Sequence, residues 1–154
     1  MKEKMPDQAD LDAPLIKNKV IIPLQEIYDK SELVYIPAYS DDDEDITLPS
    51  FFLNNVRFSP EQSCSIIADS NDMSPIISKG AHLIVDRSQK ELINNHIMMI
   101  KTGDNLLMRR INSPISGAVI FKPDNPNCKS RTFTAEETKN LNILGRIVYI
   151  IQRP

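Results

Sequence analysis

Ile66-Ile67-Ala68-Asp69-Ser70-Asn71-Asp72-Met73-Ser74-Pro75-Ile76-Ile77, continued by Gly80-Ala81-His82-Leu83-Ile84-Val85-Asp86, is the stretch that decides the fold. Its apolar ends are rich in isoleucine and valine, which suit a pleated, half-buried surface. Its middle, from Asp69 to Ser74, is short and polar and closes on a proline, which favours a turn over a continuing ladder. Strand, polar turn, strand is therefore the expected local structure.

Working outward, strand-like segments recur over residues 64–68, 82–86, 96–101, 105–111, 118–122 and 143–152. Turn chemistry separates them. Lys79-Gly80 precedes one, Thr102-Gly103-Asp104 joins two as a hairpin, and Pro123-Asp124-Asn125-Pro126 closes another. Short strands with frequent turns and almost no long helical period predict a mostly β, curled sheet with few short helices. One helical turn is expected at residues 134–141, where Thr134 as N-cap and Glu137 three residues on form a capping box. Residues 49–56 suit a short helical turn, and Ser59-Pro60-Glu61-Gln62 suits another turn or loop.

The N-terminal part reads differently. Residues 1–19 are polar and carry Pro6 and Pro14 without an apolar period, as expected of a flexible leader. Val20-Ile21-Ile22-Pro23-Leu24 and Leu33-Val34-Tyr35-Ile36-Pro37 are extended runs closed by proline. Asp41-Asp42-Asp43-Glu44-Asp45 is a like-charge block expected to be solvated. It lacks the glycine that a calcium loop requires. The expected divisions are a leader at 1–32, a segment with an acidic loop at 33–62, and a core domain at 63–154.

Composition narrows the function classes. The chain has 154 residues, 41% hydrophobic and 25% charged, with net charge −3. Its pI of about 5.4 lacks the basic footprint of a surface that grips nucleic-acid phosphates by itself. Cys64 and Cys128 lie far apart with no CxxC pair, so neither a zinc site nor a disulfide scaffold is expected. His82 and His96 have no ligand-spaced neighbours, and packing accounts for them better than metal. Met98, Met99 and Met108 read as core filling. Arg109-Arg110 alternate across a strand and do not make a basic patch. No cofactor is expected. The absence of a long apolar run or a signal peptide leads to the expectation of a cytoplasmic protein without a membrane anchor.

The ordered set Asn71, Met73-x-Pro75, Gly80 and Val85-Asp86 resembles the C-terminal domain of LexA-type and phage repressors. So do Met108-Arg109-Arg110-Ile111, Asp124-Asn125-Pro126 and Ile143-Leu144-Gly145-Arg146-Ile147-Val148. The resemblance covers roughly residues 63–153 well and 33–62 loosely. It implies a LexA/signal-peptidase-like sheet that dimerises, and a Ser–Lys pair that cleaves the domain's own chain. In such a pair a desolvated, neutral lysine removes the serine proton and the alkoxide attacks the scissile carbonyl. The serine position is Asp72 here and the lysine position is Arg109. A carboxylate cannot form the usual acyl ester, and a guanidinium stays protonated.

The two replacements are complementary in charge, so a partly buried Asp72–Arg109 ion pair is expected, with a bidentate form open to it. The alternative is a pair of solvated residues that never meet. The resemblance also implies a small scissile pair ahead of the core. Ala38-Tyr39 is the nearest imitation, and Tyr39 is too bulky for the glycine. The expectation is a catalytically inactive domain serving as the dimerisation or higher oligomerisation module of a phage-type repressor, from a prophage or mobile element. DNA would be read by a helix-turn-helix outside this chain, and an antirepressor protein is a candidate partner. The alternatives are a UmuD-like polymerase accessory protein, or an active peptidase using Ser70 or Ser74 with Lys79 or Lys101 as base.

Overall fold

The computed structural model describes residues 32–54, 56–114 and 117–154. The run expected at 20–24 and all but the last residue of the leader expected at 1–32 lie outside them. The described elements are β1 (Leu33–Ile36), β2 (Ile46–Pro49), β3 (Ser63–Ile67), β4 (His82–Asp86), β5 (Ile97–Thr102) and β6 (Asn105–Asn112). After these come β7 (Val119–Lys122), β8 (Arg131–Phe133), α1 (Ala135–Thr138) and β9 (Asn142–Ile151). Single 3-10 turns occupy Ser50–Leu53 and Pro60–Gln62. The protein is mostly β, with β1 and β2 paired and the other seven strands in one sheet of order β3-β4-β9-β5-β6-β7-β8.

The chain divides into two compact units. One takes in most of β1 and β2 with the turn at Ser50–Leu53, where Phe51 and Phe52 stack with centroids 4.7 Å apart. The larger comprises Ile36–Ile46 and Arg57–Gln152 and holds the seven-stranded sheet.

Every pairing within that sheet is antiparallel, yet β9 does not alternate simply. Ile84 pairs with Tyr149 and Val85 with Ile147, so Val148 is an extra residue; Met99 pairs with Gly145 and Ile100 with Ile143, so Leu144 is another. Each bulge adds a residue on one side and tightens the local twist, which curls the sheet. The buried doublets Leu144-Gly145 and Ile147-Val148 follow from this. Gly145 is required for a different reason. A Cβ there would run into the Asp86 backbone, with the carbonyl carbon 2.8 Å away.

The main core lies on one face of the sheet, where Ile66, Leu83, Val85, Met99, Met108 and Ile147 meet Met73 and Ile77 from the 68–81 connection. A second cluster, Met98, Ile100, Ile111 and Phe121, lies under β5–β7. The capping box forms as the sequence predicts: Thr134 Oγ1 accepts from Glu137 N–H, and Glu137 Oε1 accepts from Thr134 N–H.

Candidate functional site

Met73 and Ile77 are fully buried, and they pin the polar turn between β3 and β4 to the core. Within the turn Ser74 N–H donates to Asn71 O and Ile77 N–H to Met73 O, while Asn71 Oδ1 accepts from Lys79 N–H. The Ser74-Pro75 peptide is cis. Gln152 clasps the far side, accepting from Ser78 N–H and donating to Ile76 O. Asp72 is thereby presented towards β6. Arg109 Nη1 donates to Asp72 Oδ2 at 3.0 Å and to Met108 O at 2.7 Å. The side chains are 17% and 27% exposed, so the pair is partly screened by solvent.

The two residues singled out from sequence are therefore brought together. Their contact uses one guanidinium nitrogen. The bidentate pair is the neighbouring one, in which Arg110 Nε and Nη2 donate to Asp124 Oδ1 and Oδ2 at 2.9 and 2.7 Å. Those hydrogen bonds raise the Arg110 pKa above its ordinary value against the opposing effect of burial. The two adjacent arginines thus find separate carboxylates.

That late turn was legible, but its role at the site was not. Asn125 N–H donates to Asp72 O, Asn125 Nδ2 to Asn71 O, and Asp124 N–H to the Met73 sulfur. Cys128, from which neither a zinc site nor a disulfide was expected, places Sγ 3.6 Å from Asp72 Oδ1. Desolvation, then the Asp72 charge and hydrogen bond, push its thiol pKa up. The group is a weak nucleophile at neutral pH. Only the Asp124-Asn125-Pro126 turn signal pointed here, and it does not say what the turn touches.

Ser70 Oγ accepts from Asp72 N–H at 3.4 Å, and no hydrogen bond joins Ser70 or Ser74 to Lys79 or Lys101 among the described residues. Ala38-Tyr39 lies along the outer edge of β3. Tyr39 N–H donates to Ser65 O, Ser65 N–H to Pro37 O, and Ala38 and Ser65 form a parallel bridge. Arg87 sits over the Tyr39 ring, 5.5 Å from its centroid.

The acidic block departs from expectation in part. Asp43 Oδ1 accepts from Ile67 N–H and Asp45 Oδ1 from Ala38 N–H, both at 2.7 Å. A carboxylate standing in for a strand carbonyl covers an edge donor that would otherwise be open. Between this loop, the 69–80 turn and the β5–β6 hairpin runs a cleft of about 630 Å3, floored by Met99, Leu106 and Met108.

His82 Nε2 lies 3.8 Å from Glu44, and burial followed by the charge of Arg146 lowers the His96 pKa. Among the described residues no three His, Cys, Asp or Glu side chains converge as a metal site would need, and no helix is long and apolar enough to cross a membrane.

With this geometry, residues 31–148 match the Peptidase S24-like family, so the chain belongs to that family, whose domains share the LexA/signal-peptidase-like sheet. The chain is also 26% identical over 89 residues to a Haemophilus influenzae protein named as an uncharacterized HTH-type transcriptional regulator. That match covers 57% of this chain and 37% of the relative.

Proposed function

We propose that this is a catalytically silent S24-like domain, acting as the dimerisation module of a phage-type transcriptional repressor whose DNA reader is a separate helix-turn-helix. The observation that carries the reading is the Arg109–Asp72 contact at 3.0 Å. A serine and a neutral lysine would have to meet where these two do. A permanently charged guanidinium cannot accept the nucleophile's proton, and a carboxylate already holding that guanidinium is a poor attacking group. The named relative supports the regulatory half of the reading. An acidic chain of net charge −3 supports assigning DNA contact to another module.

Two measurements test this. Sedimentation of the 154-residue chain at tens of micromolar is expected to show a dimer without sequence-specific DNA affinity; a monomer defeats the assembly role. Incubation at alkaline pH is expected to leave the chain intact on a gel. Fragments abolished by Ser70→Ala or Ser74→Ala would instead establish a displaced nucleophile.

A further inference from the structure

β4, β9 and β5 lie side by side, and one cross-strand row runs Asp86, Arg146, Met98. Side chains in such a row share a face of the sheet. His96, two residues before Met98, joins that face at the entry to β5, where its carbonyl accepts from Ile111 N–H. Gln89 reaches Arg146 from the loop after β4.

Arg146 is the unanswered member of this row. Its Nε is buried with no hydrogen-bond partner, and Nη1 meets only Gln89 Oε1, at 3.4 Å. A buried charged donor without a partner is rare in folded proteins. Asp86, its cross-strand neighbour, has both oxygens filled. Oδ1 accepts from Ser88 N–H and Oγ, and Oδ2 from Ser59 N–H and Gln89 Nε2. Among the described residues no carboxylate forms an ion pair with Arg146, whereas Arg109 and Arg110 hold Asp72 and Asp124. Arg87 and Arg131 lie over the rings of Tyr39 and Phe133. The His96 ring also makes no hydrogen bond among the described residues, and burial, then the charge of Arg146, lowers its pKa. A permanent cation and a titratable donor thus converge from β9 and from the entry to β5, with no carboxylate left to answer them.

We propose that Arg146 and His96 form a binding site for a small oxyanion of carboxylate or phosphate type. The guanidinium fork offers paired donors to two oxygens, and the His96 ring donates one more hydrogen bond. Fully buried Met98 and the partial burial of both donors hold water back, which strengthens each charge-assisted bond. The Asp86 charge in the same row opposes the anion and keeps its affinity modest. An occupied site links β9, the strand that joins the two half-sheets, to the entry of β5 and the loop after β4. The site is independent of assembly and of cleavage, because neither residue belongs to the Asp72–Arg109 pair.

The test is a titration of the full, isotope-labelled chain with sodium phosphate, sodium acetate and sodium chloride at matched ionic strength. It is read by NMR at the arginine Nε–Hε and histidine ring signals. Phosphate or acetate is expected to shift Arg146 and His96 saturably, with half-saturation near about 1 mM, while chloride gives a linear drift. Saturation by phosphate alone assigns a phosphoryl ligand, by acetate alone a carboxylate, and by both an oxyanion of either kind. At tenfold the half-saturating concentration the thermal midpoint is expected to rise by about 4–6 °C over chloride. Arg146→Gln is expected to abolish the saturable response. Should that variant fail to fold, His96→Gln removes a ring without hydrogen bonds to the protein, and it is expected to weaken binding at least about threefold. Linear drift with all three salts overturns the proposal and leaves ionic screening only. A saturable response unchanged by either substitution overturns it too, since the anion would then be held elsewhere.

Discussion

Arg109 and Asp72 form a charged pair with room for water around it, and that sets how much either residue contributes. A fully buried pair broken on one side costs ~3–5 kcal/mol. At 17% and 27% exposure the remaining charge is partly solvated, and Asp72→Ala is expected to cost about 1–2 kcal/mol, read as a lowered urea midpoint. No change within error would show that the contact contributes nothing.

Asp86 is the more costly carboxylate. It is fully buried and accepts from Ser59 N–H, Ser88 N–H, Ser88 Oγ and Gln89 Nε2. Burial alone would raise its pKa, and the hydrogen bonds from Ser88, Gln89 and Ser59 outweigh it, so the net shift is downward. A carboxylate with a lowered folded pKa contributes its stability in full above the unfolded value of about 3.9. That contribution is lost as pH falls through the lowered folded value. Asp86→Asn is expected to be destabilised at pH 7 and to show a shallower fall in stability below about pH 4 than the parent. Parallel acid limbs in the two urea–pH series would contradict this.

Among the elements, β9 shows where the sequence was readable and where it was not. Its existence and extent followed from Ile143-Leu144-Gly145-Arg146-Ile147-Val148, but the bulges at Leu144 and Val148 did not, because a bulge is defined by the partner's register. β4, β5 and β6 stood out by composition and by the Thr102-Gly103-Asp104 turn. β8 was not foreseen: Arg131-Thr132-Phe133 is three residues, too short for a period, and its pairing with β7 and the Phe121–Phe133 edge contact at 5.0 Å create it. At the site, the pairing of Asp72 with Arg109 was legible from their complementary charge and their order in the chain. Asp43 was not, since a run of acids looks uniformly solvated until one member meets a free backbone donor. Gly145→Ala is expected to cost more than about 2 kcal/mol in thermal or urea unfolding, as β9 must move off the Asp86-Arg87 backbone. A loss under half of that would mean that the bulge absorbs the methyl.

Across the whole molecule the two thiols report on different depths. Cys64 is 5% exposed with its pKa pushed up to about 11, whereas Cys128 is half-buried beside Asp72. With an aromatic disulfide reagent at pH 8, Cys128 is expected to react slowly and first, and Cys64 only at the rate of global opening. Prompt reaction of both would indicate a looser core than the packing around Ile66 and Leu83 implies.

Strand order carries one more consequence. β9 comes last in sequence among the described strands, yet it lies in the middle of the sheet between β4 and β5. A nascent polypeptide emerging from the ribosome has its two half-sheets, β3-β4 and β5 to β8, synthesised well before the strand that joins them. A sheet with such late, long-range closure can be completed only once its joining strand has been made. A nonsense codon ahead of Asn142 would therefore leave this sheet with two open edges and a bare apolar face, a product for proteolysis.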